Sequence, residues 1–107
     1  MQQEAISSPK VITGILSIFG RDANYLIDLG SMHSFISSSF FINGKKKPSR
    51  MSENLVVDRP IGETIVCNHV YKGCELKIGN WVLYVNLVPI HLQVFDIILG
   101  MDSLSSY

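Results

Sequence analysis

The chain has 107 residues, 47% of them hydrophobic and 17% charged, with nine basic side chains balancing nine acidic ones. That length supports one domain rather than two, and that apolar fraction excludes an intrinsically disordered chain. A net charge of zero excludes a global field that would draw the chain to nucleic acid or to an anionic membrane, and a surplus of apolar side chains in so small a domain leads us to expect an oligomer.

Residues 1–9 read as a flexible N-terminal segment and residues 10–107 as the domain. Val11 to Phe19 is β-branched and apolar but interrupted by Gly14, which favours a strand over a helix. Gly20-Arg21-Asp22 has turn chemistry and Ala23 to Ile27 is apolar again, so the domain opens on a β-hairpin. Ser37-Ser38-Ser39 ahead of Phe40-Phe41-Ile42 predicts a short capped helix near 38–43, ended by Gly44. Residues 44–53 read as an exposed loop, with Lys45-Lys46-Lys47 solvated and given no nucleic-acid role. Leu55 to Asp58, the turn 59–63 and Thr64 to Tyr71 form a long hairpin arm. Cys74 to Ile78 and Trp81 to Val88 are strands joined tightly at Gly79-Asn80. Pro89 is expected to break the run. Val94 to Leu99 reads as a last buried strand and 101–106 as a final helical turn. Seven or so strands with one or two short helices make the chain all-β.

No stretch reaches the apolar length of a membrane span, and Met1 to Glu4 lacks the basic start of a signal peptide, so the chain is expected inside the cell, cytoplasmic with the nucleus as the other option. Two cysteines, Cys67 and Cys74, are few for a secreted scaffold and read as reduced packing groups. With His69 they give C-x-H-x4-C, one ligand short of a structural zinc site, and neither a metal nor a cofactor is expected. His33 and His69 read as half-exposed filler of strands, and His91 as a loop residue.

Of five aspartates, only Asp28 ends an apolar strand and is followed at once by Gly30 and Ser31. A carboxylate there is expected to be partly desolvated, with peptide N–H groups and the Ser31 hydroxyl reaching its oxygens, which would fix it in one orientation for acid–base work. Hydrolysis of a peptide by aspartates needs two carboxylates sharing a proton. A single chain with one such turn would therefore need a two-fold partner.

Leu26-Ile27-Asp28-Leu29-Gly30-Ser31-Met32-His33-Ser34-Phe35-Ile36, preceded by Val11 to Gly20 and followed late in the chain by Phe95-Asp96-Ile97-Ile98-Leu99-Gly100-Met101-Asp102, resembles the retropepsin-like aspartic protease domain of plant gypsy-type long-terminal-repeat retrotransposon polyproteins. The likeness covers roughly residues 10 to 106, with Gly62-Glu63-Thr64 and Cys74 to Gly79 similar to the family's flap hairpin and the strand after it. The resemblance implies a small closed β-barrel of the retropepsin type. It also implies a homodimeric, acid-leaning endopeptidase that cuts its own polyprotein, without cofactor, with Asp28 of each subunit at the dimer axis. Asp28, Leu29, Gly30 and Ser31 would form the catalytic loop, and Pro60, Ile61 and Gly62 the flap tip against which an extended peptide substrate lies. The sequence departs from the family at Leu29, where serine or threonine normally bonds across the dimer, at Met32, where threonine is usual, and at Ser103, where tryptophan is usual. Losing a hydroxyl that satisfies a buried group costs about 1–3 kcal/mol, which implies a weakened dimer and a weakened site. Two functional classes follow: an aspartic endopeptidase, and a non-catalytic module that keeps the barrel as a folding or dimerising unit.

Overall fold

The computed structural model describes residues 12–40, 46–58 and 62–104. Seven strands and one helical turn follow in order: β1 Ile12–Ile18, β2 Arg21–Ile27, β3 Phe35–Ser37, β4 Ser49–Asp58, β5 Thr64–Ile78, β6 Trp81–Ile90, β7 Ile97–Leu99 and α1 Met101–Leu104. The all-β expectation holds.

The sheet runs β1-β2-β7-β3-β6-β5-β4, and a further pairing of β1 with β5 through Ser17↔Lys77 and Ile18↔Leu76 closes six of the strands into a ring. Closure removes the free edges that an open sheet of these short strands would expose. β4 stays outside the ring as the free arm of a long β4–β5 hairpin. Inside the ring lies one apolar cluster, in which Leu16, Ile18, Leu76, Leu87, Ile97 and Leu99 are fully buried or nearly so. Each such side chain contributes about 1.5–3 kcal/mol by leaving water. A second cluster, Phe35, Cys67, Val70, Val88 and Ile90, receives Met51, Leu55 and Val57 from β4 and so pins the arm to the ring.

The opening hairpin turns on Phe19 and Gly20, whose φ angles of 51° and 77° give the doubly left-handed loop that suits strand twist. Arg21 and Asp22 therefore start β2 and are not part of the turn. Residues 38–40 form a turn instead of opening a helix: the Ser38 N–H donates to the Ile90 carbonyl and the Phe40 N–H to the Ser37 carbonyl. Residues 41–43 of that expected helix lie outside the described residues. The loop expected over 44–53 gives way to strand at Ser49, because β5 offers Val70 and His69 as partners for Ser49 and Arg50. Cys74 to Ile78 is not a separate strand but the continuation of β5. A register shift between Tyr71 and Cys74 absorbs the irregularity, with Gly73 at φ 62° and its N–H donated to Asn86 Oδ1.

Pro89 does not break β6. It pairs with Ile36 of the parallel β3, and the bonds that tie the strands there come from residues on either side: Val88 N–H to the Ser34 carbonyl and Ser38 N–H to the Ile90 carbonyl. A residue whose N–H the ladder does not use is where proline is tolerated. The last strand shortens to Ile97–Leu99 because Asp96 is engaged otherwise, its N–H on the Asn24 carbonyl and its Oδ2 accepting the Asn24 N–H. No helix among the described residues is long and apolar enough to cross a membrane.

Candidate active site

β2 delivers Asp28 to the end of the ring, where its N–H donates to the Leu99 carbonyl of β7 at 2.9 Å. The chain then turns: the Ser31 N–H returns to the Asp28 carbonyl at 3.2 Å, and the Gly30 N–H donates to Asp28 Oδ1 at 2.9 Å. One peptide N–H thus orients the carboxylate, as the turn chemistry suggested. Two details differ from expectation. The Ser31 hydroxyl donates to the His33 carbonyl at 2.7 Å rather than to the carboxylate, and Asp28 is exposed in the single chain rather than desolvated. The backbone bend brings the His33 carbonyl within reach of the Ser31 hydroxyl, whose oxygen also lies 3.4 Å from the His33 N–H.

Behind this turn stands a buried brace. Gly100 follows β7 directly beneath the turn, and a Cβ there would collide with the His33 carbonyl oxygen and come within 2.7 Å of the Ser31 carbonyl oxygen. Only glycine admits so close a backbone approach. The fully buried Ser34 hydroxyl accepts the Gly100 N–H at 3.0 Å and donates to Asp102 Oδ1 at 2.7 Å, while the Met101 N–H donates to the Ser31 carbonyl at 2.7 Å. Ser103, at the position where tryptophan was expected, is buried and donates its hydroxyl to the Gly100 carbonyl at 2.8 Å. The Asp28 turn is therefore clamped from below by α1 and the residue before it.

In front of the turn opens a cleft of about 600 Å³. Its floor is Asp28, Gly30, Ser31, Met32 and His33, and its roof is Leu55 to Asp58 at the end of the β4 arm. Phe35, Ile90, Leu92 and Ile98 make its inner wall apolar. Leu29 and Met32 flank Asp28 with their side chains 65% and 67% exposed, an unusual presentation for apolar groups. At the hairpin tip, Gly62 has φ 91°, a conformation natural to glycine, and Pro60 and Ile61 lie outside the described residues. The register pairs Asp58 with Thr64, and the Thr64 hydroxyl donates to Asp58 Oδ1 at 3.1 Å, closing the base of the tip. His33 joins Asp28 on the cleft, whereas His69 sits opposite Arg50 in the arm. Cys67 and Cys74 are free and buried, and burial pushes the Cys74 thiol up to about 11, which keeps it protonated and unreactive near neutrality.

Asp28 thus ends a strand on a turn clamped by a buried glycine, with a hairpin arm over its cleft. All of residues 1–107 match the family of retroviral aspartyl proteases. The chain belongs to that family. No curated protein matches it. Members of this family act as dimers on polypeptide substrates.

Proposed function

We propose that this domain is an aspartic endopeptidase half-site that works as a homodimer, with Asp28 from each subunit forming the carboxylate pair. The observation that carries this reading is the position of Asp28, oriented by the Gly30 N–H on the floor of a 600 Å³ cleft whose roof is the β4 arm. One Asp28 would act as base on water while its twin, protonated, polarises the peptide carbonyl, since two carboxylates this close cannot both ionise. The substrate is an extended peptide. β4 ends the strand order and carries no further strand on its outer edge among the described residues, so a peptide can add there through main-chain hydrogen bonds. Leu29, Gly30 and Ser31 complete the catalytic loop, and Pro60, Ile61 and Gly62 form the flap tip over the peptide. We assign the domain to the polyprotein of a gypsy-type plant retrotransposon, acting inside the cell.

Leu29 favours a second reading, a non-catalytic dimerising module, because leucine cannot make the hydroxyl bond that would lock two catalytic loops together. Peptidase assays on polyprotein-junction peptides separate the two. Asp28→Asn should lower the rate by about a hundred- to ten-thousandfold. Leu29→Ser should raise it, because two regained bonds of about 1 kcal/mol each tighten the dimer by about thirtyfold. Equal rates for wild type and Asp28→Asn would sink the enzyme reading, and inertness of Leu29→Ser at every concentration would establish the module.

A further inference from the structure

Asp58 is the second carboxylate on the cleft, and the proposed mechanism does not use it. It lies at the end of β4, exposed, on the roof opposite Asp28. Thr64 satisfies Oδ1, and among the described residues no cation pairs with the group. Among the described residues the cleft lining carries the carboxylates Asp28 and Asp58 and neither lysine nor arginine. Along β4 the side chains alternate faces, so Val56 and Asp58 share one face, with Val56 58% exposed, while Leu55 and Val57 pack down onto the second apolar cluster. A peptide strand added to the edge of β4 places residues two apart on that same face. One of them would lie beside Val56 and the other beside Asp58.

We infer that Asp58 is a specificity-determining residue that selects peptides carrying lysine or arginine two residues from an apolar side chain. The inference rests on the reading of the cleft as a peptide site and adds to it which side chain the outer end of the roof takes. Apolar contact at Val56 sets the register, and the Asp58 carboxylate, being partly solvated, supplies discrimination of modest size, about threefold to tenfold in favour of a cation.

The test uses fluorogenic peptides with a fixed apolar residue and lysine, glutamine or glutamate two residues away on either side, all at one fixed pH. Wild type should cleave one lysine peptide about threefold to tenfold faster than its glutamine twin. Asp58→Asn should level that ratio, and Asp58→Lys should turn it toward glutamate. Because each ratio is taken within one protein, incomplete folding of a variant cancels. An equal lysine-to-glutamine ratio in wild type and Asp58→Asn would overturn the assignment. Fluorescence anisotropy with the same peptides keeps the two proposals apart. Lysine-selective binding without cleavage would uphold Asp58 and sink the catalytic reading, unselective binding would sink Asp58 alone, and no binding would sink both.

Discussion

Ser34 shows how much of the site is held by side chains that never meet the substrate. Its hydroxyl is fully buried, accepting from the Gly100 N–H and donating to Asp102, so one oxygen ties β3's approach to α1 beneath the Asp28 turn. Removing it leaves the buried Gly100 N–H without that partner, while Asp102 Oδ1 keeps the Ser103 N–H, and a buried group so orphaned costs about 1–3 kcal/mol. Ser34→Ala should therefore lower stability by about that amount in a denaturant titration, with an unchanged slope if the fold persists. An unchanged midpoint would show that the brace is dispensable. This brace was present in the sequence only as letters within the likeness. Nothing in local periodicity says that Ser34 and Asp102 meet, because they lie 68 residues apart and only the β3–β6 and β3–β7 pairings bring them together. The place of Asp28, by contrast, was legible as a strand-end aspartate at a glycine turn, whereas that turn alone reads as well as a simple cap and a catalytic role rested on the likeness along the whole chain.

At the scale of elements, hairpins whose turns are written in the chain, such as Ile78↔Trp81 around Gly79-Asn80, could be placed from sequence. What could not be read were elements whose state depends on a distant partner. Ser49 to Asn54 has loop composition and becomes strand only because β5 runs long enough to pair with its start, and Pro89 stays within β6 only because β3 leaves its nitrogen unasked. The β4–β5 arm inherits a consequence from this marginal composition. Its register shifts between Arg50 and Leu55, and its outer edge pairs with no further strand among the described residues, so its backbone groups there exchange with solvent unless a ligand strand covers them. Binding of a statine-type peptide inhibitor should slow amide hydrogen exchange within residues 55–58 by about tenfold or more, while β1 and β2 in the ring stay as they were. Uniform protection across the ring, with none in the arm, would place the ligand elsewhere.

At the scale of the molecule, six strands bond into a ring and β4 stands outside it as an arm. The ring's core is buried within one chain, yet Ile12, Ile15, Leu29 and Met32 remain exposed, two of them on the Asp28 turn. Apolar groups left in water around a half-site are what a two-fold partner would cover. If the carboxylates work as a pair, activity belongs to the dimer, and a subunit that carries Asn at position 28 should poison its wild-type partner. Adding an equal amount of Asp28→Asn protein to a fixed amount of wild type, with time for subunits to exchange, should leave about half of the original rate, because random pairing puts about half of the wild-type chains into mixed dimers. A larger excess should suppress the rate further. An enzyme that worked as a single chain would keep its full rate at any excess, and that result would overturn the paired-carboxylate mechanism while leaving the fold untouched.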